Sequence, residues 1–195
     1  MLQPSGADIS QVSAIIGLGS NLSSDHGSSL ETLQSALEQL AQDDVEIQSV
    51  SRFYTTPCFP AGAGPDYVNA AALLRTTLPA KGVLSRLHDI EAALGRTRVA
   101  RWGQRTVDLD LLAFGQEILP DLATFDHWLT LPIETQSTQA PKQLIVPHPR
   151  LQDRAFVLVP MADVAPDWRH PVLQRSTRQM LDDLGPKEAA QIKPL

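Results

Sequence analysis

Residues 107–111 read VDLDL, and residues 83–95, which precede them, read VLSRLHDIEAALG. The strict alternation of apolar and acidic residues in VDLDL is typical of a strand with one apolar face. In the earlier segment, apolar residues recur at helical spacing, and Gly95 stands where a left-handed residue ends many helices. The two segments therefore predict a helix that leads through an arginine-rich loop, residues 96–105, into a strand.

The residues upstream predict the remaining elements of the fold. Val12 to Gly19 has the apolar, β-branched character of a buried strand, and a capping box of Ser28 and Glu31 begins a leucine-patterned helix. We expect that helix at 29–42, strands at 45–54 and 67–76, and the second helix from Pro79. With the strand at 107–111, the order is β-α-β-β-α-β. This order predicts an α+β, ferredoxin-like fold: an antiparallel sheet with helices on one face.

The pattern downstream of this strand is less regular. Residues 120–143 are rich in Pro, Thr and Gln without a clear period, so we expect an irregular insertion there. Order should return at 146–148, in a short helix at 154–164 interrupted near Pro160, and in an amphipathic helix at 172–184. We therefore expect a single domain at 12–185 with extra C-terminal strand and helix elements, a disordered tail at 1–11 and a second tail at 186–195.

The composition is that of an ordinary globular protein and excludes several classes. The 195 residues are 43% hydrophobic and 19% charged, and the formal net charge is -6. A negative chain lacks the positive field that nonspecific binding to nucleic acids or anionic membranes requires. Cys58 is the only cysteine, the N-terminus lacks a secretory layout, and no apolar run reaches the length of a membrane span. We therefore expect a cytoplasmic protein that has no disulfide and binds neither membrane nor nucleic acid.

Asp108 and Asp110 are the sharpest chemical feature of the sequence. On a strand, side chains two residues apart share a face and lie about 7 Å apart. Hard divalent ions such as Mg²⁺ bind carboxylate oxygens together with substrate phosphates, so the pair can hold one or two ions against a nucleotide. A solvated edge strand is the alternative explanation of the same pattern.

Four arginines lie within ten residues immediately before this pair: Arg96, Arg98, Arg101 and Arg105. Arginines near a helix C-terminus can serve the helix dipole, but that effect fades after the last turn and does not reach Arg101 or Arg105. Guanidinium groups bind phosphate oxygens in pairs, and phosphoryl transfer depends mainly on positioning and charge stabilisation. Arginines beside paired acids therefore indicate a phosphoryl-transfer site.

Two weaker features accompany this site. His148 lies between two prolines that restrain the backbone, although a single histidine is more often structural than functional. Tyr67 and Asn69 share a strand face after the Thr56-Pro57 loop, so they can hold a flat heterocycle or can equally be core and turn residues. GLGSNL lacks the third glycine of a dinucleotide-binding motif, and no P-loop lysine follows it. The histidines show no paired spacing typical of a zinc site.

Taken together, these motifs resemble a known family, the 6-hydroxymethyl-7,8-dihydropterin pyrophosphokinases. The resemblance covers residues 14–168 and rests on four stretches in order: IIGLGSNL, SRFYTTPCFPAGAGPDYVNAA, IEAALGRTRVARWGQRTVDLDLLAFG and VPHPRLQDRAFVLVPMADVAP. It implies a ferredoxin-like fold and a reaction that moves the β,γ-diphosphate of ATP onto the hydroxymethyl oxygen of the pterin, with release of AMP. It also implies two Mg²⁺ ions as cofactor and ATP as co-substrate.

The resemblance further implies a role for each motif residue. Asp108 and Asp110 would bind the two metal ions, and Arg96 and Arg105 would neutralise charge on the transferring group from a mobile loop. The ATP site would contain Glu91, Arg98, Trp102, Leu111, His148 and Arg154, with Trp102 helping the loop to close. The pterin ring would stack between Tyr67 and Phe156, with Thr56, Pro57, Phe59 and Asn69 at its edge.

The chain departs from the family pattern in four places. Gln143 and Ile145 stand where some relatives have an arginine and a threonine on ATP, and Pro149 follows the histidine where an aromatic residue can stand. The insertion at 120–143 is longer than in compact members, and covering the ATP mouth and forming an oligomer contact are both open roles for it.

Two alternatives to a pyrophosphokinase stay open at this point. One is another Mg-dependent nucleotidyl or phosphoryl transferase on a ferredoxin-like domain, and the other is a non-enzymatic ligand-binding domain. The expected partners are the small molecules ATP and 6-hydroxymethyl-7,8-dihydropterin. A monomer is the expected state of the chain.

Overall fold

The computed structural model describes residues 11–42, 44–58, 64–96, 106–132, 135 and 139–195. Its element order confirms the α+β, ferredoxin-like prediction. The elements are β1 (Val12–Ser20), α1 (Ser29–Leu40), β2 (Val45–Val50), β3 (Tyr54–Thr56), β4 (Tyr67–Thr76), α2 (Ala80–Ala93), β5 (Asp108–Phe114), α3 (Leu122–Thr130), a 3-10 turn (Leu151–Asp153), α4 (Ala155–Val164), α5 (Thr177–Leu184), α6 (Pro186–Ala189) and β6 (Lys193–Pro194).

β1 is an inner strand of the six-stranded sheet and aligns residues from its two neighbours. β4 and β5 flank it and pair antiparallel with it. β2 and β3 pair with successive parts of β4, and β6 pairs with β3. The register sets Gly19 of β1 directly opposite both Asn69 of β4 and Asp108 of β5. Three adjacent strands therefore contribute to one row of residues across the sheet.

Both faces of this sheet are covered by helices, whereas we expected helices on one face only. Ile16 and Leu18 belong to a core that includes residues of α1 and α2. Ile15 belongs to a second core, to which α4 contributes Leu158 and Met161. Consecutive buried apolar residues are typical of a strand that is enclosed on two sides, and the second layer consists of α4 and α5.

The expectation of an irregular insertion at 120–143 is wrong for part of that segment, because α3 forms there. The Asp121 carboxylate caps this helix by accepting hydrogen bonds from the backbone N–H (2.8 Å) and the hydroxyl (3.0 Å) of Thr124. Phe125 is fully buried, and its ring lies 5.6 Å from that of His170, centroid to centroid. The apolar residues Leu122, Phe125 and Leu129 do recur at helical spacing, but the helix is only nine residues long, and the sequence interpretation did not recognise so short a pattern.

Two other predicted elements differ in their continuity: one strand is divided in two, and one helix is uninterrupted. The strand expected at 45–54 is two strands, and between them Ser51 stays joined to β4 because its hydroxyl accepts the Ala71 N–H at 2.9 Å. The helix expected to be interrupted near Pro160 is continuous through it. Its buried apolar residues pack on the sheet on both sides of the proline, which offsets the lost backbone hydrogen bond.

The C-terminal elements begin later and extend further than predicted. The helix expected from 172 begins at Thr177, because His170 Nδ1 accepts the backbone N–H groups of Val172 and Leu173 and holds a turn there. Residues 186–195, expected to be a tail, contain α6 and β6. Residues 1–10 of the other expected tail lie outside the described residues. Among the helices of the described ranges, none combines the length and apolar character needed to cross a membrane.

The buried His170 predicts a pH-dependent stability. Its ring lies between Phe125 and Trp168, and burial lowers its pKa from 6.5 to about 4. As the pH falls, His170 is therefore protonated in the unfolded chain before it is protonated in the folded protein, and this favours unfolding. The free energy of unfolding keeps its full His170 contribution above about pH 6.5 and loses it between pH 6.5 and pH 4. We expect the titration of His170 to make the free energy of unfolding about 2 kcal/mol lower at pH 5 than at pH 7.

Urea unfolding of the wild type and of His170→Asn, at pH 7 and pH 5, measures this contribution. The comparison between the two proteins is needed because Glu91 acts in the opposite direction: its pKa is raised to about 7, so its protonation favours the folded state at low pH. We expect the wild type to lose more stability than His170→Asn between the two pH values. Equal losses in the two proteins would contradict the assignment.

Candidate active site

The floor of the site is the row formed by Asp108, Gly19 and Asn69 on three adjacent strands. Asp110 stands two residues along the same strand, opposite Gly17, so both acids share one sheet face as predicted. A side chain at Gly19 would begin 3.1 Å from Asn69 Oδ1, which means that the asparagine amide lies over the glycine. The absence of a side chain at Gly19 thus gives the Asn69 amide room beside the acid pair.

Arg96 joins two acids at one edge of this floor. Its guanidinium forms an ion pair with Glu91 through Nη1 and with Asp108 through Nη2, the second at 2.8 Å. Glu91 Oε1 also accepts the backbone N–H of Leu109 at 2.8 Å, which satisfies a donor on the edge strand β5. Arg96 therefore links α2 to the acid pair.

Burial sets the charge state of Glu91. Its side chain is 3% exposed, and this desolvation raises its pKa to about 7. The Leu109 N–H and the Arg96 charge act against the rise, whereas the negative charge of Asp108 adds to it. Glu91 is thus a buried residue that holds Arg96 through an ion pair. The predicted contact of Glu91 with ATP stays a prediction.

The acid pair suits a divalent ion that is shared with a substrate. Asp108 and Asp110 are both partly exposed and offer oxygen donors, and Asp108 already accepts a cationic guanidinium. Within the described part of the chain, there is no group of three or more His, Cys, Asp or Glu side chains that could hold a metal by themselves. Two carboxylates that need further oxygen ligands match the way Mg²⁺ is bound together with phosphates.

A cavity of about 450 Å³ opens next to Asp110. Its walls come from α2, β5, α3 and residues 139–154, and they include Leu84, His88, Leu111, His148 and Arg154. Three residues predicted for the ATP site, Leu111, His148 and Arg154, thus line one cavity with Asp110. The departures from the family pattern, Gln143, Ile145 and Pro149, line it too.

His148 is held in this cavity by two backbone contacts. Its N–H donates to the Leu112 carbonyl at 2.8 Å, and its Nδ1 accepts the Arg150 N–H at 3.2 Å. Burial, and secondarily the positive charge of Arg154, lower its pKa to about 3. The imidazole is therefore neutral, and since Nδ1 is an acceptor, its proton lies on Nε2.

The predicted pterin residues lie at the other end of the row. Asn69 Nδ2 donates to Thr56 Oγ1 at 2.7 Å, and Thr56 is directly opposite Tyr67 in the β3–β4 pairing. Pro57 follows at the exposed end of β3. Phe156, in the first turn of α4, is 41% exposed, with Arg154 Cζ 5.7 Å from its ring centroid.

Five residues of interest fall outside the described ranges: Phe59, Arg98, Arg101, Trp102 and Arg105. Other cavity residues were missed by the sequence reasoning, among them Leu84, His88 and Trp128. A signal existed for the first two, since Leu84, His88 and Glu91 follow one another at i, i+4 and i+7 on α2. Trp128 was missed because the short helical spacing of apolar residues in α3 was not recognised within a segment that we expected to be irregular.

Comparisons with known proteins agree on one family. The sequence profile described as 7,8-dihydro-6-hydroxymethylpterin-pyrophosphokinase (HPPK) matches residues 15–166. Among curated proteins, the 2-amino-4-hydroxy-6-hydroxymethyldihydropteridine pyrophosphokinase of Synechocystis is 35% identical over 88% of this chain and 75% of its own length. The protein of the same name from Pseudomonas aeruginosa is 37% identical over 80% of this chain and 82% of its own length.

Solved structures show the same fold at much lower identity. A crystal structure of wild-type Plasmodium falciparum HPPK-DHPS with pteroate superposes with a TM-score of 0.64 at 13% identity. The match covers 89% of this chain and 44% of that chain. This chain therefore spans less than half of that larger protein.

Proposed function

The chain belongs to the 7,8-dihydro-6-hydroxymethylpterin-pyrophosphokinase family, and from this premise we propose how its residues carry out the reaction. It is a pyrophosphokinase of folate biosynthesis, which transfers the pyrophosphate of ATP to the hydroxymethyl group of 6-hydroxymethyl-7,8-dihydropterin and releases AMP. ATP is its co-substrate. The proposals below concern the residues, the metal ions and the state of the chain.

The row of Asp108, Gly19 and Asn69 is the observation that carries the proposal. Neighbouring strands are about 4.8 Å apart, so the Cα atoms of Asp108 and Asn69 lie about 10 Å apart across Gly19. The Asn69 amide reaches back over this glycine, towards Asp108. We propose that the edge of the pterin bonds to Asn69 and Thr56, with Tyr67 and Phe156 stacking on its ring. The hydroxymethyl group of a pterin bound there would reach towards the acid pair. Pro57 and Phe59 would complete the pterin site.

We propose that Asp108 and Asp110 hold two Mg²⁺ ions together with phosphate oxygens of ATP. Ions bound there would neutralise charge on the triphosphate and make its phosphorus easier to attack. The cationic guanidinium on Asp108, at 2.8 Å, supports a position that favours positive charge. The cavity beside Asp110 supports the ATP site, in which Leu111, Arg154 and the Nε2–H of His148 would contact the nucleotide.

Arg96 has a distinct part in this proposal. One arm of its guanidinium holds Glu91 and the other holds Asp108. When Asp108 binds metal, the second arm becomes available for oxygens of the transferring group, while Glu91 keeps the arginine in place. Arg105 would act with it, and Arg98 and Trp102 would complete the ATP site, as the family resemblance implies.

Incubation of the protein with ATP, Mg²⁺ and 6-hydroxymethyl-7,8-dihydropterin tests the function. We expect AMP and the pterin diphosphate to form in equal amounts, without free pyrophosphate. Release of pyrophosphate would indicate nucleotidyl transfer, and binding without turnover would indicate a ligand-binding domain. Either result would overturn the proposal.

Gly19→Ala tests the pterin end of the row. The new methyl group would lie 3.1 Å from Asn69 Oδ1, so the amide must move away from the pterin edge. We expect KM for the pterin to rise about fivefold, the equivalent of about 1 kcal/mol, with the Kd of ATP unchanged. Gly17→Ala is the matched control, since its methyl group meets only the Leu112 side chain, at an ordinary 3.4 Å. A rise of similar size in both variants would contradict the role of Asn69.

We also propose that residues 12–185, together with α6 and the sheet strand β6 that follow them, form one catalytic domain. We propose that it acts in the cytoplasm as a monomer, on small molecules and not on nucleic acid. The net charge of -6 and the single cysteine support this view. Sedimentation of the purified protein would test the monomer directly.

A further inference from the structure

One wall of the ATP cavity comes from the insertion at 120–143. Trp128 of α3 lines the cavity, and so do Gln139, Pro141 and Lys142 after it. These residues face a space whose other walls hold Asp110, His148 and Arg154. The insertion is thus part of the site, and not a separate surface feature.

The position of Trp128 is set by the anchoring of α3. The Asp121 cap holds the first turn, and the fully buried Phe125 fixes the helix against His170. Trp128 lies three residues after Phe125, on a neighbouring part of the helix surface. Its indole also meets the ring of His127 edge-on at 6.1 Å. A partly exposed aromatic ring is therefore held on a rigid element at the cavity wall.

The cavity wall has charged residues suited to phosphates and apolar residues suited to a base. Asp110, Arg150 and Arg154 supply charge, whereas Leu84, Leu111 and Ile145 are apolar. A flat heterocycle gains most from an apolar slot with an aromatic ring on one side, and an aromatic side chain that stacks on a base contributes about 1–3 kcal/mol. Among the described residues that line this cavity, Trp128 offers the largest aromatic ring.

We propose that Trp128 stacks on the purine of ATP. The insertion then binds the base, while the acid pair and the arginines bind the phosphates. This inference rests on the proposed function and adds to it a residue that selects the nucleotide. It assigns the insertion a role at the ATP site in place of an oligomer contact.

Equilibrium titrations with two probes test the proposal. The probes are the β,γ-methylene analogue of ATP and inorganic tripolyphosphate, each with Mg²⁺. We expect Trp128→Ala to weaken binding of the analogue about tenfold and binding of tripolyphosphate by no more than about twofold. Trp128→Phe, which keeps a ring, should stay within about threefold of the wild type for the analogue.

Leu122→Ala is the matched control on the same helix, because Leu122 is 50% exposed and does not line the cavity. Unchanged affinity of Trp128→Ala for the analogue, or equal losses for both probes, would overturn the inference. Wild-type AMP formation reports separately on the proposed function. Turnover by the wild type together with an unchanged Trp128→Ala affinity would therefore remove the inference alone.

Discussion

Replacing Asp110 by alanine is expected to abolish Mg²⁺-dependent AMP formation, with kcat/KM at least about 10³-fold lower. Asp110 shares its strand face with Asp108 and also lines the cavity proposed for ATP, so its loss removes one of two carboxylates at the proposed metal position. In that proposal, Asp108 alone would supply too few carboxylate oxygens for two ions. Rapid-quench measurement of AMP in a single turnover shows whether the chemical step itself has failed.

The same variant should lose the effect of Mg²⁺ on nucleotide binding. Titration of the ATP analogue with and without Mg²⁺ would measure this loss. Asp182→Ala, an exposed acid on α5, is the matched control and should behave as the wild type. Undiminished turnover by Asp110→Ala would rule out the acid pair as the metal site.

Arg96→Ala is expected to lower kcat about 10²-fold while the Kd of ATP stays within about threefold of the wild type. The reason is that Arg96 forms ion pairs with Glu91 and Asp108 and does not line the cavity proposed for ATP. Its removal takes away charge that the transferring group needs, whereas the residues that line the cavity remain. Rapid quench and equilibrium titration separate the two quantities.

Two further variants make the arginine test specific. Arg96→Lys keeps the charge, but a point-charge ammonium cannot bridge Glu91 and Asp108 as a planar fork does, so we expect intermediate turnover. Arg86→Ala, elsewhere on α2, should match the wild type, since the Arg86 side chain bonds to Gln42. A loss of ATP affinity as large as the loss of kcat would make Arg96 a binding residue and contradict the prediction.

Much of the fold was predictable because it depends on short-range patterns. The capping box of Ser28 and Glu31 and the left-handed Gly95 are both present in the structure. β4 has the predicted bounds, Tyr67–Thr76. The two main failures have different causes: α3 is anchored by Phe125 against His170, which is distant in sequence, whereas the turn before α5 is held locally, by the His170 side chain and the N–H groups of Val172 and Leu173.

The sequence alone determined the course of the chain from β1 to β5, except for the division of the strand at 45–54, and the shared face of Asp108 and Asp110. Both follow from the period of two along a strand and from apolar spacing along a helix, which are local properties of the chain. Only the tertiary structure decided that Arg96 forms ion pairs with both Glu91 and Asp108, and that Trp128 lines the cavity beside Asp110. Such contacts depend on how strands and helices are packed, and packing joins residues whose separation along the chain carries no information about their distance in space.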